Sequence, residues 1–146
     1  MKKVYYAHPT TEYDTKREKQ ILEWFEKYYG KNFEIVNPNT PYHCEQYKNK
    51  GMNYFVKLVD KCDCLIYTRF KNNRIGAGVT KEIDQALKNN KPVFEIYGRK
   101  IDIKQIFALN NNDVMSVQET KNYIKKYKDS RKNWFTKLVF WIKGYN

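Results

Sequence analysis

The stretch NRIGAGVTKEIDQALKNNKPV, Asn73–Val93, decides how this chain is read. Gly76 and Gly78 open a segment in which Val79, Ile83, Ala86 and Leu87 recur at helical spacing. Lys91-Pro92 then leads into a β-type run, PVFEIY (Pro92–Tyr97), while CLIYT (Cys64–Thr68) reads as a buried strand just upstream. Strand, glycine-rich turn, helix and strand in that order make a β-α-β unit. Glycine permits positive φ and close approach of backbone to a ligand. Free amides at a helix start favour an anionic or polar group. The main chain of Gly76, Ala77 and Gly78 and the Thr80 hydroxyl are therefore candidate ligand contacts, with Asn73 just before them. Glu82, four residues past Gly78, falls on the first turns of the helix, near the mouth of the same cleft. A carboxylate beside such a cradle suits glycosidic-bond chemistry. A solvated Glu after an ordinary strand-to-helix turn is the other reading, since short glycine motifs are weakly specific.

Outward from that unit the alternation continues. Lys3–Ala7 is a β-type run that stops at Pro9, and Thr15-Lys-Arg-Glu18 has the form of a capping box. Ile21, Leu22, Phe25, Tyr28 and Tyr29 then mark a helix that Gly30 ends. Phe33–Val36 is the next strand, closed by the turn Asn37-Pro38-Asn39, and residues 40–50 read as a polar loop. Tyr54, Phe55, Leu58, Val59 and Cys62 give a further helix. Past Tyr97 the pattern loosens: Ile103–Leu109 is expected to be a short helix, Asp113–Val117 a fifth strand, and Ser116-Val-Gln-Glu119 a capping box opening a helix to about Lys128. The whole predicts one domain of α/β class, a Rossmann-like doubly wound parallel sheet of about five strands. Residues 1–97 form its core, and residues 98–146 a basic C-terminal extension ending in an amphipathic helix. In such sheets ligands bind beyond the carboxyl ends of the strands. That places the segments His8–Asp14, Asn37–Tyr42, Arg69–Gly78 and Tyr97 onward around the site.

The net charge is +12, and residues 98–146 carry eleven Lys and Arg against four Asp and Glu, or +7 of it. Nucleic acid, an acidic membrane surface or a phosphorylated ligand would suit that bias, as would a merely solvated basic face, the reading favoured here. The tail RKNWFTKLVFWIKGYN puts Trp134, Leu138, Trp141 and Tyr145 on one helical face, fit to cover a core or a subunit interface, or to lie on a membrane. No run of about 18 apolar residues exists. MKKVYYAHP lacks the apolar stretch of a signal peptide. The cysteines, Cys44, Cys62 and Cys64, are odd in number, and with two histidines a zinc site is not expected. No metal or other cofactor is expected, and a reducing cytoplasm is the expected setting.

These blocks resemble the nucleoside 2-deoxyribosyltransferase-like superfamily, which includes deoxyribosyltransferases, 5′-monophosphate N-glycosidases and, more distantly, LOG-type phosphoribohydrolases. The resemblance covers about residues 3–97 through KVYYAHP, VDKCDCLIY, GAGVTKEIDQAL and KPVFEI. Gly78-Val-Thr-Lys-Glu82 is also similar to the G-T-x-x-E part of the LOG motif. It implies that Glu82 is the catalytic nucleophile, that Gly76 and Gly78 cradle the ligand, and that Tyr5 holds the nucleophile by a hydrogen bond. Asp63 matches a position that is largely structural in the family. The transferases' Asp six residues before the Glu is Gly76 here, and their second-helix Asp corresponds to Phe55. Those departures point from base exchange toward hydrolysis, or toward a non-catalytic binder or sensor of a nucleotide-derived ligand. His8 is a candidate acid for the leaving base, or else a packed residue. Arg69 or Arg74 is a candidate phosphate partner, or else a loop cation. Ala7 completes the expected contacts with a nucleoside or nucleotide, along with Asn37 and Asn39, which are candidates for sugar hydroxyls or a base edge, or else simply turn residues. The resemblance also implies a homo-oligomer.

Overall fold

The computed structural model describes the backbone of residues 1–144 and the side chains of residues 1–131. Its sheet has five strands, β1 (Lys2–Ala7), β2 (Phe33–Val36), β3 (Cys64–Tyr67), β4 (Val93–Tyr97) and β5 (Asp102–Ile106), in the order β2-β1-β3-β4-β5. The first four are parallel and β5 is antiparallel to β4. Five helices surround it: α1 (Lys16–Tyr29), α2 (Pro41–Lys50), α3 (Met52–Asp60), α4 (Ala77–Lys88) and α5 (Val117–Gly144). The fold is thus α/β with a helix at the C-terminus, as the alternating pattern predicts. No helix among the described residues is long and apolar enough to cross a membrane.

Register decides which way each side chain goes. Tyr5 pairs with Leu65 and Leu65 with Val93, so these residues, with Ala7 and Tyr67, share one face. They pack under Val59 of α3 and Val79, Ile83 and Ala86 of α4. Val4, Tyr6, Ile66 and Ile96 point the other way, onto Ile21 and Phe25 of α1. Burying each large apolar side chain is worth about 1.5–3 kcal/mol. Because strands alternate faces, the adjacent tyrosines Tyr5 and Tyr6 serve opposite layers.

Three expectations are corrected. Residues 40–50 form α2, whose start is marked by Thr40 accepting from the His43 amide at 3.2 Å and by Pro41 in the first turn. Ile103–Leu109 is not a helix: its first half belongs to β5, reached through a turn in which Gly98 adopts φ 81°. Backbone pairing with β4 outweighs a weak helical pattern there. Asp113–Val117 makes only an isolated parallel bridge, Ile75 with Val114, before α5 begins. The two capping boxes differ as well. At α5 the Ser116 and Glu119 side chains each accept from the other's amide, at 3.1 Å in both directions. At α1 Thr15 caps the Glu18 amide, but Glu18 reaches back to the Asp14 amide instead. Helix α5 runs unbroken to Gly144; the aromatic face proposed for its end, Trp134 to Tyr145, lies outside the described side chains.

Candidate active site

The strand order reverses between β1 and β3, which is where open α/β sheets hold ligands. Glu82 rises beside that point from the second turn of α4. It stands on the helix's buried stripe with Val79, Ile83 and Ala86, and is 6% exposed. Burial pushes its carboxyl up to about 8, and the nearby Tyr5 hydroxyl draws it partly back. Yet Tyr5 Oη and Glu82 Oε2 are both buried without a well-formed hydrogen bond among the described residues. Leaving such groups unmatched costs about 1–3 kcal/mol each. Tyr13, in the loop after β1, completes the surround. Its hydroxyl is raised first by burial, then by the Glu82 charge and by Cys44 of α2. A neutral Glu82 can donate a proton; an ionised one can attack an electrophilic carbon or stabilise a cation beside it.

The glycine turn is built differently from the expected cradle. Gly76 has φ −68° and caps α4; a Cβ there would meet Phe70 Cε2 at 2.7 Å. Its smallness admits the Phe70 ring, which leans on Tyr123 of α5 at 4.4 Å. The Ala77 amide donates to Thr120 Oγ1 of α5 at 2.9 Å, and the Thr80 hydroxyl donates to the Gly76 carbonyl at 2.9 Å. The amides of Gly78 and Val79 have no protein acceptor among the described residues. A Cβ on Gly78 would meet only Met52, at 3.7 Å. The Thr80 amide is taken by the Gly76 carbonyl at 3.0 Å, so the free main-chain donors at this turn, among the described residues, are Gly76, Gly78 and Val79.

The remaining anticipated residues fall into two groups. Ala7 is fully buried at the end of β1, on the same face as Tyr5. His8 stacks on Tyr6 with centroids 3.7 Å apart, and its Nδ1–H donates to the Tyr6 carbonyl at 2.9 Å. Its Nε2 lies 2.6 Å from Glu18 Oε2, so both ring nitrogens are engaged inside the protein. Burial raises the Glu18 carboxyl, but hydrogen bonds from His8, Asn39 and the Asp14 amide outweigh it and leave its pKa below the ordinary value. Asn37 Oδ1 accepts from the Asn39 amide at 2.9 Å, holding the turn after β2. Arg69 is taken up by Glu95, by Asp113 at 3.2 Å and by the Asn73 carbonyl at 3.0 Å. Arg74 pairs with Glu119 at 2.6 Å. Neither arginine projects an unpaired charge at the site. Asp63 ties the strand starts together, accepting from the Lys3 amide at 2.7 Å. Phe55, at the second acid position of the resembled family, is buried and stacked on Tyr47 at 5.2 Å.

Tyr13 gains weight that no local motif announced, and Glu18, read from the sequence as the end of a capping box, also holds His8 and Asn39. Glu12 gains weight too, because the Tyr6 and Thr68 hydroxyls both donate to its Oε2. The one sequence signal of Tyr13 and Glu12 is position, in the loop that leaves β1 at Pro9. No family model matches the chain, and no curated protein does. Among solved structures it is similar to a 2-deoxyribosyltransferase from Leishmania mexicana, with 16% identity and a TM-score of 0.48, over 84% of this chain and 96% of that one. Likeness at that distance says nothing of chemistry, which has to come from the chain's own residues.

Proposed function

We propose that the chain takes the sugar of a nucleoside or nucleotide against Glu82 and Tyr5 and cleaves its N-glycosidic bond, with Glu82 as nucleophile. The observation that carries this reading is the pair of buried, unmatched oxygens, Tyr5 Oη and Glu82 Oε2, beside the β1/β3 reversal. Sugar hydroxyls would satisfy both. As the carbon–nitrogen bond lengthens, the anomeric centre becomes cationic, and a fixed carboxylate favours that state over the neutral sugar. Glu82 then bonds to the anomeric carbon while the base leaves with the bonding electrons and takes up a proton. Water attacks the resulting ester, releasing the sugar and regenerating the carboxyl group. Because Glu82 is held near 8, its nucleophilic form grows as pH rises toward that value, and kcat/KM should climb over the same range. Chromatography of free base from nucleosides and nucleoside monophosphates tests the reading. Wild type should release base, and Glu82→Gln should lose roughly a hundredfold or more of that activity while staying folded. No release by wild type from any of these, or undiminished release by the variant, would overturn it.

A binding-only role on the same site is the second reading. It is favoured by the rings at the positions of the absent family acids: Phe70 packs over Gly76, and Phe55 stacks on Tyr47. Nucleotide-induced thermal stabilisation that persists in Glu82→Gln, with no base released by either protein, would mark that outcome.

A further inference from the structure

Apart from the surroundings of Glu82, an open cleft of about 670 Å³ lies between the start of α1 and the middle of α5. Lys16 enters it from α1, Lys71 from the loop after β3, and Ser130 and Arg131 from α5. Tyr127 sits between two of the cations: Lys71 Nζ is 6.0 Å and Arg131 Cζ 5.8 Å from its ring centroid. Each contact is weakly favourable, but together they bring like charges from separate segments toward one ring. None of Lys16, Lys71 and Arg131 has an ion-pair partner among the described residues. The contrast with Arg69 and Arg74, both paired with carboxylates, is direct. The one acid in the lining is Asp14, whose Oδ1 accepts from Asn39 at 3.0 Å. The fifteen residues after Arg131 contain no Asp or Glu that could supply a counter-charge.

We infer that this cleft is a binding site for a ligand bearing several phosphate groups. Three converging cations, a serine hydroxyl and a tyrosine match the charge and the acceptor oxygens of a phosphate chain. The volume is too large for a single phosphate ion and falls in the range of small-molecule sites. The phosphates of a free nucleotide and those of a nucleic-acid backbone share this chemistry. None of Glu82, Tyr5 and Tyr13 lines this cleft.

Calorimetric titration of the full chain with inorganic tripolyphosphate, a nucleoside triphosphate and a short single-stranded oligonucleotide tests the inference. The Lys71→Gln/Arg131→Gln double variant should bind tripolyphosphate and the nucleotide about tenfold or more weakly, and wild-type affinity should fall steeply with salt. Arg99→Gln/Lys100→Gln removes the same charge at an exposed turn and should leave affinity unchanged. An oligonucleotide that binds more tightly than tripolyphosphate identifies the backbone as the source; the reverse order identifies a free nucleotide. Failure of all three probes to bind wild type, unchanged affinity in the cleft variant, or an equal loss in the turn variant overturns the site. Release of base from an uncharged nucleoside would still stand in that event, so the two readings fail separately.

Discussion

Glu18 and Glu82 are each 6% exposed, on helices that cover opposite faces of the sheet, but Glu82 lies deeper inside the protein. Each faces the layer served by one of two adjacent tyrosines on β1. On the α1 side, Glu18 is met by His8, by the Asn39 side chain and by the Asp14 amide, and its pKa falls below the ordinary value. On the α4 side, Glu82 has the Tyr5 hydroxyl nearby but an oxygen without a partner, and its carboxyl rises to about 8. Surface exposure alone therefore does not set a carboxylate's state: depth raises Glu82, and hydrogen-bond donors lower Glu18. The satisfied cluster fixes the loop after β1 and the turn after β2 in place. The unsatisfied one is where a ligand has something to gain.

The comparison is broken most severely from the satisfied side. Glu18→Ala leaves His8 buried with Nε2 unmatched and leaves the Asn39 side chain only Asp14 as acceptor, so denaturant unfolding should show a loss of about 3–5 kcal/mol. Unaltered stability would mean the cluster is not formed as described. Glu82→Gln acts in the other direction and depends on pH. A folded-state pKa raised from 4.5 to about 8 means the native protein holds a proton that the unfolded chain has lost. That contribution is complete below about 4.5 and disappears as pH climbs through about 8. Wild type should lose on the order of a few kcal/mol across that window, and the variant should lack this component. Unfolding curves at matched pH values check both slopes. Smaller still is the contrast between the two glycines. Gly76→Ala meets the Phe70 ring at 2.7 Å and should cost about 1–3 kcal/mol, whereas Gly78→Ala, with only Met52 at 3.7 Å, should be tolerated by the fold. A drop in ligand binding confined to Gly78→Ala would place the ligand over the free amides of α4.

Much of this was legible in the sequence, for identifiable reasons. The strands β1 to β4 and helices α1, α3 and α4 announce themselves through apolar spacing, and Glu82 stands three residues after Val79, on the helix's core-facing stripe. Helix α2 lacked any apolar stripe, although Thr40-Pro41 carried a start signal. Strand β5 is half-exposed, so its alternation was faint. What could not be read was non-local. Arg69 meets Glu95 and Asp113, Arg74 meets Glu119, and Thr120 takes the Ala77 amide. Each of these partners comes from a distant segment, and together they turn an open cradle into a braced turn.

Carboxyl-carbon NMR across an acid-to-alkaline titration tests the central contrast most directly, with Glu18→Gln and Glu82→Gln assigning the two resonances. Glu82 should titrate near 8 and Glu18 below the ordinary carboxylate value. Both groups titrating together with the surface carboxylates would contradict that contrast.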